Sequence, residues 1–183
     1  QTLWGRVARE ACLAPLRREI LETADEDDLV LDHLDHLAHG DGGSGAHVLL
    51  LHGLEGSSFS PYIQGLMAQV ARRGWRATAL NFRSCARDPA DPARMIPNRR
   101  PRLYHSGETT DLDFVVRTLA SRDPSTPLAA IGASLGGNVL LKWLGEHPAQ
   151  NQVVAAATIS VPSDLAAGAR YLESRLGRLY VSA

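Results

Sequence analysis

Apolar and polar positions alternate along the chain in blocks that predict strands and helices in turn. Residues 46–53 (AHVLLLHG) and 127–133 (PLAAIGA) are short apolar runs, typical of strands that are covered on both faces. Residues 60–74 and 135–147 carry apolar side chains at helical spacing. Further strands are predicted at 28–37, 75–82 and 153–162, and further helices at 107–123 and 165–180. Strands that alternate with helices indicate βαβ units and a largely parallel sheet, and hence the α/β class.

The N-terminal part of the chain has a less regular pattern. Residues 28–37 alternate apolar and polar positions, which predicts a half-buried antiparallel strand. Residues 1–22 are interpreted as helical or irregular, within an N-terminal arm over 1–25 that docks through Trp4, Val7, Cys12 and Leu16. Ser60 and Ser106 are the predicted N-caps of the helices that follow them. We expect one domain over residues 1–183.

Composition narrows the functional classes. The net charge of −1 provides no basic excess for nucleic acid or an anionic membrane surface. The longest apolar run is far shorter than the ~20 residues of a membrane span, and the first ten residues lack the apolar core of a signal peptide. Cys12 and Cys85 fit a reducing, cytoplasmic location, although one bridge stays open. No metal-ligand spacing or phosphate-binding loop occurs, so neither metal nor cofactor is expected.

Ser134 lies between a predicted strand and a predicted helix, in the pattern Gly132-Ala133-Ser134-Leu135-Gly136. G-x-S-x-G at a strand-to-helix turn is the nucleophile elbow, in which a strained turn exposes the serine hydroxyl above the sheet. Small residues on either side let the strand and helix pass closely. The alternative is that the glycines merely permit a tight turn.

A second motif follows the first apolar strand, at His52-Gly53-Leu54-Glu55-Gly56. In such sheets this loop supplies a backbone N–H to a tetrahedral oxyanion, so the donors here would be Leu54 and Leu135. His52 is interpreted as a structural histidine that bonds the loop, and with Gly53 and Glu55 it would line the site. The two motifs together favour an acyl-transfer site with Ser134 as nucleophile.

Tyr104, His105 and Ser106 precede the predicted helix at 107–123. Because ligands of parallel sheets bind at the carboxyl ends of the strands, we expect these three residues near the mouth of the site. The alternative is a helix-entry turn without contact to the site.

The stretches 52–62, 81–90, 101–112, 132–146 and 160–165 resemble the α/β-hydrolase superfamily, and more narrowly the YheT-type hydrolases and the ABHD1/ABHD3-like group. The resemblance implies an α/β-hydrolase fold with helices on both faces of the sheet. It also implies a serine carboxylesterase or lipase-like enzyme that takes a small-molecule or lipid ester without a cofactor. Some members of this group transfer acyl groups to alcohols instead.

The end of the sequence departs from the family pattern. The superfamily order is serine, acid, histidine, but no histidine follows His147, and Asp164 is expected to be structural. The chain is therefore interpreted as an N-terminal portion without its C-terminal strands, inactive or weakly active alone. An alcohol O-acyltransferase and a catalytically inactive binding module remain open. The last predicted strand would leave an apolar edge that favours a homo-oligomer.

Overall fold

A computed structural model describes residues 15–34 and 45–173 of the chain. These residues form strands and helices that alternate after an initial pair of strands. The elements are β1 (Arg17–Glu22), β2 (Asp28–Leu34), β3 (His47–Leu51), α1 (Pro61–Ala71), β4 (Arg76–Asn81), α2 (Thr110–Arg122), β5 (Leu128–Ala133), α3 (Leu135–Glu146), β6 (Val153–Ile159) and α4 (Leu165–Glu173).

The strands build one sheet in the order β1-β2-β4-β3-β5-β6. β2 is antiparallel to both of its neighbours, whereas β4, β3, β5 and β6 are mutually parallel. The carboxyl ends of the four parallel strands therefore meet at one edge of the sheet. This arrangement confirms the predicted largely parallel sheet.

Helices cover both faces of the sheet, as predicted. Successive residues of β3 point to opposite faces and enter two separate apolar clusters. Leu49 and Leu51 belong to the cluster that contains α2 and α3 residues, whereas Val48 and Leu50 belong to the one that contains α1 residues. None of the helices in the described part of the chain is long and apolar enough to cross a membrane.

Strand β2 is buried on both faces, so the prediction of a half-buried strand is wrong for it. Its polar side chains do not face water. Asp32 accepts hydrogen bonds from Arg18 at 2.8 Å, and His33 Nδ1 lies 2.8 Å from the Thr78 hydroxyl. Asp32 and His33, two polar residues of the alternating pattern, are therefore buried and hydrogen-bonded instead of exposed to water. The predicted residues 35–37 lie outside the described part.

Residues Arg17–Glu22 form an edge strand rather than part of a helical or irregular arm, so that interpretation is wrong for them. They pair along their whole length with β2. Their charges are matched across the sheet face, with Glu19 2.6 Å from Arg122. Trp4, Val7 and Cys12, the other proposed docking residues of the arm, lie outside the described part, while Leu16 packs against the α1-side cluster.

One of the two predicted N-caps is confirmed. Ser60 is the N-cap of α1, although its hydroxyl accepts from the Ser57 N–H rather than capping the helix. Ser106 does not cap α2, which begins at Thr110 with Thr109 as its N-cap. Residues 105–108 instead form a turn, in which the Glu108 N–H donates to the His105 carbonyl.

Strand β6 pairs with β5 along one edge, and no described strand pairs with its other edge. Every residue of β6 after Val153 is exposed, including Val154 at 65% and Ile159 at 44%. Apolar side chains of β6 lie on both faces of the strand, as the sequence indicates.

Candidate active site

Ser134 occupies the turn between β5 and α3 in a backbone conformation that L-residues rarely adopt, with φ +50° and ψ −116°. Its N–H donates to the Ile159 carbonyl at 2.8 Å, and its own carbonyl accepts from Gly137 and Asn138. Such strain persists only where surrounding bonds hold it, and it is concentrated at functional sites. The half-buried serine therefore stands at the carboxyl edge of the sheet, where the elbow motif predicts it.

The glycines around Ser134 are required by close backbone contact. A methyl group at Gly132 would lie 2.5 Å from the Gly136 carbonyl oxygen, and one at Gly136 would lie 2.5 Å from the His52 carbonyl oxygen. Both distances are well below van der Waals contact. The glycines thus bring α3 against β5 and against the loop that follows β3.

That loop, residues 52–56, lies directly beside Ser134. A methyl group at Gly53 would be 3.2 Å from Ser134 Cβ and 3.6 Å from the Ala133 carbonyl oxygen. The two motifs, separated by about eighty residues in sequence, therefore share one small region.

Every backbone N–H from Gly53 to Ser60 donates to an acceptor among the described residues except that of Leu54. The Leu135 N–H lies at the start of α3, where the first amides of a helix have no intrahelical partner, and it too has no acceptor among the described residues. Two donors that are unused within the described residues thus flank Ser134. The acceptors of the others are the Tyr62 hydroxyl for Gly53, the Tyr104 hydroxyl for Glu55, the Gly53 carbonyl for Gly56, the Ser60 hydroxyl for Ser57, Asn81 Oδ1 for Ser58, the Ser57 hydroxyl for Phe59 and the Ser57 carbonyl for Ser60.

His52 is buried, with both ring nitrogens engaged by backbone. Nδ1–H donates to the Gly53 carbonyl at 2.7 Å, and Nε2 accepts from the Phe82 N–H at 3.0 Å. Burial lowers the pKa of the imidazole to about 4, so the ring is neutral near pH 7. His52 therefore ties the loop to the end of β4 and has no free nitrogen with which to take a proton.

Tyr104 lies against the loop, whereas His105 does not. The Tyr104 hydroxyl accepts from the Glu55 N–H at 2.7 Å, while Glu55 itself is exposed. The exposed His105 ring accepts from the Gly107 N–H at 3.1 Å, and it makes no hydrogen bond to Ser134 or to residues 52–56. The structure thus brings Tyr104 to the rim of the site, and it places His105 in the turn that precedes α2.

No described histidine contacts the Ser134 hydroxyl. His147 lies at the far end of α3, where its Nδ1 bonds the Trp143 carbonyl at 2.9 Å. Asp164 accepts from the Ala167 N–H at 2.8 Å at the start of α4, which agrees with the structural role expected for it. Within residues 15–34 and 45–173, no group of three or more histidine, cysteine or acidic side chains could hold a metal ion.

The far end of the loop is fixed by a buried polar network that the sequence patterns do not reveal. The Ser58 hydroxyl donates to Asp32 at 2.5 Å, and the Ser58 N–H donates to Asn81 at 2.9 Å. The Asn81 amide also donates to Asp32 at 2.9 Å. A buried acid in β2 and an amide at the end of β4 therefore position the loop beside Ser134.

A cavity of about 340 Å³ lies at the amino ends of the parallel strands. It is lined by His47 and Arg76, which begin β3 and β4, and by Arg122 at the end of α2. Because Ser134 follows the carboxyl end of β5, this cavity opens at the opposite ends of the parallel strands. A molecule bound there would not reach the serine.

Comparison with known proteins agrees with this geometry. A family model described as alpha/beta hydrolase fold matches residues 46–180. The putative esterase YheT of Escherichia coli is 38% identical over 133 residues, which is 73% of this chain and 37% of that protein. Human phospholipase ABHD3 is 32% identical over 166 residues, which is 89% of this chain and 39% of that protein. The chain thus spans well under half the length of these relatives.

Solved structures share the fold at low sequence identity. A serine hydrolase without a lid from Xanthomonas campestris, XC6422, superposes with a TM-score of 0.61 at 17% identity, over 83% of this chain and 65% of its own. A monoglyceride lipase variant from Saccharomyces cerevisiae gives a TM-score of 0.63 at 16% identity, over 84% of this chain and 47% of its own.

Proposed function

The chain belongs to the α/β-hydrolase family, and on that premise we propose that its site is that of a serine acyl hydrolase acting on a small-molecule or lipid ester. Ser134 is the nucleophile, and the N–H groups of Leu54 and Leu135 are the oxyanion donors. The observation that carries the proposal is the pair of N–H groups that have no acceptor among the described residues, beside a serine in a strained turn.

The reaction follows from these positions. The Ser134 oxygen attacks the ester carbonyl carbon while its proton passes to a base, and the carbonyl oxygen gains negative charge. The Leu54 and Leu135 N–H groups stabilise that charge, which develops only as the reaction proceeds. The ester C–O bond then breaks, and the alcohol leaves with the proton. Water repeats the sequence on the acyl-enzyme and releases the acid.

The described residues include the proposed nucleophile and donors, but no imidazole that reaches Ser134. In the superfamily order the acid and histidine follow the serine in sequence. We therefore assign the base to a group outside the described residues. A site without its base loses several orders of magnitude in rate, although oxyanion stabilisation leaves a residual effect.

Two features support an apolar ester as substrate. Leu54 is 63% exposed on the loop, and Leu103 is 73% exposed next to Tyr104, which bonds that loop. Leu54 belongs to the loop beside Ser134, and both large apolar side chains lack cover among the described residues. The relatives' names, phospholipase and monoacylglycerol lipase, point to lipid esters as well.

An alcohol O-acyltransferase is the second candidate. A yeast relative, 34% identical over 119 residues, is named medium-chain fatty acid ethyl ester synthase/esterase 2. The same acyl-enzyme would serve both reactions, because only the acceptor, alcohol or water, differs. A binding module without catalysis is the third candidate, favoured only by the lack of an imidazole at Ser134 among the described residues.

Active-site labelling tests the proposal. The protein expressed from its natural gene is treated with a fluorophosphonate probe, beside Ser134→Ala and the matched exchange Ser125→Ala in an exposed turn at the other edge of the sheet. We expect labelling of the parent protein and of Ser125→Ala, and none of Ser134→Ala. Equal labelling of Ser134→Ala would overturn the assignment of the nucleophile.

Turnover of p-nitrophenyl butyrate, with and without added ethanol, then separates the three candidates. Release of butyric acid supports the hydrolase, and ethyl butyrate as the main product supports the acyltransferase. Labelling of Ser134 without turnover supports the binding module.

A further inference from the structure

We infer that Tyr62 and Tyr104 are positioning residues whose hydroxyl groups hold the Leu54 N–H in place as an oxyanion donor; this rests on the proposed function. The two hydroxyls accept hydrogen bonds from Gly53 and Glu55, the residues on either side of Leu54. The N–H···O distances are 2.8 Å and 2.7 Å. The donor is thus the one amide in the middle of a clamped three-residue segment.

The two tyrosines reach the loop from different elements. Tyr62 lies in the first turn of α1, and Tyr104 lies in the long connection between β4 and α2. A methyl group at Gly56 would be 3.0 Å from the Tyr62 hydroxyl oxygen, so the hydroxyl is fitted closely against the loop backbone. A displacement of the loop in either direction would stretch one of the two bonds.

Tyr104 is itself held rigidly. Its ring stacks on Phe82 with centroids 5.3 Å apart, and it meets the His52 ring edge-on at 6.4 Å. Burial raises the pKa of its hydroxyl above the usual value, so it stays protonated at all working pH values.

The segment needs such support because its backbone is strained. The Gly56 N–H donates to the Gly53 carbonyl, which closes a four-residue turn with Leu54 and Glu55 at its centre. Glu55 has φ +53°, the left-handed conformation that a type II turn requires at its third residue and that favours glycine. Without the Tyr104 bond, the Leu54–Glu55 peptide unit can rotate, and the adjoining Gly53–Leu54 unit, which contains the Leu54 N–H, can tilt away from the oxyanion position.

Removing only the hydroxyl groups tests the inference. In Tyr104→Phe and Tyr62→Phe the rings remain and only the hydroxyl acceptors are lost. Because an oxyanion donor acts in the transition state, we expect kcat to fall about 10-fold in each variant with KM unchanged, and about 100-fold in the double variant. Tyr171→Phe on α4 is the matched control and should keep the parent kcat.

Amide hydrogen exchange provides a readout that needs no turnover. We expect the Glu55 amide to exchange at least tenfold faster in Tyr104→Phe, and the Gly53 amide to do so in Tyr62→Phe. The protein is again the product of the natural gene, and circular dichroism identifies a variant that has unfolded. One folded tyrosine variant is enough for the test, so if one of the two does not fold, the other is used.

The outcomes separate this inference from the proposed function. Labelling of Ser134→Ala by the fluorophosphonate would overturn the proposed function. Labelling confined to Ser134, with parent kcat and parent amide protection in both folded phenylalanine variants, would overturn the inference alone. Faster amide exchange with an unchanged kcat would also overturn it, because the bonds would then be structural only.

Discussion

At the scale of single residues, the strained backbone of Ser134 determines what its neighbours can be. A turn this tight brings α3 against β5, so that Gly132 lies against the Gly136 backbone. The strain itself is offset by the bond from the Ser134 N–H to the Ile159 carbonyl. A side chain at Gly132 would clash with the backbone of Gly136 and Gly137 and would push α3 away from β5.

We therefore predict that Gly132→Ala destabilises the protein by about 3 kcal/mol, because its methyl group meets backbone that cannot move aside. Gly145→Ala, in the same helix as the elbow, is the matched control. A methyl group there meets nothing within 4 Å, so this exchange should stabilise the protein by about 0.5–1 kcal/mol. Urea unfolding measures both, and equal stabilities would contradict the close packing described for Gly132.

The residues of the site differ in how well the sequence reveals them. Ser134 and the loop at 52–56 carry local patterns, because an elbow needs glycine at fixed offsets from the serine. Tyr62, Asp32 and Asn81 act on the loop through contacts that link residues far apart in the chain. No local pattern specifies such a partner, so only the folded structure identifies them.

At the scale of elements, Arg83 joins three segments that are remote in sequence. Its guanidinium, 2% exposed, donates to Asp111 at the start of α2 and to Asp25 and Asp27 in the turn between β1 and β2. The distances lie between 2.7 and 3.1 Å. Asp27 and Asp111 are buried as well, so the cluster has little water with which to replace a missing partner.

We predict that Arg83→Met destabilises the protein by about 3–5 kcal/mol, because it leaves two buried carboxylates without their counter-ion. Arg94→Met, in the same connection between β4 and α2, is the control. The Arg94 side chain is 71% exposed and 3.5 Å from Asp88, so the loss should stay within about 0.5 kcal/mol. Thermal unfolding of both variants checks the pair, and a mild effect at Arg83 would contradict the cluster's role.

The sequence predicts the strands whose residues are uniformly apolar and buried, and it predicts less well the strands whose charged residues are paired in the folded sheet. β3 and β5 are apolar runs, and the structure confirms both. β1 (RREILE) was missed because four of its six residues are charged, and charge in a sequence indicates exposure. Its Arg18 and Glu19 are instead matched by Asp32 on β2 and Arg122 on α2, a pairing that depends on the finished sheet.

At the scale of the whole molecule, the described sheet has two unlike edges. β1 is rich in charged residues, which discourages pairing with another chain. β6 is apolar, exposed on both faces and, among the described strands, paired only with β5. An edge of the second kind is a template for further strands.

We predict that the 183-residue polypeptide self-associates through β6, and that Ala156→Lys in the middle of this strand shifts it toward the monomer. The same exchange at Ala149, exposed in the turn after α3, should leave association unchanged. Light scattering across a concentration series measures the mass of all three proteins. A monodisperse monomer of the parent polypeptide would refute the prediction.

The hydrogen bond from the Ser134 N–H to the Ile159 carbonyl links the β6 edge of the sheet to the candidate active site. Ile159, the last residue of β6, thus holds the backbone of the proposed nucleophile, so we expect the conformation of the Ser134 turn to depend on the pairing of β6 with β5. A molecule in which β6 has frayed would also lose its elbow. We therefore expect the proposed esterase activity to require that β6 is paired with β5.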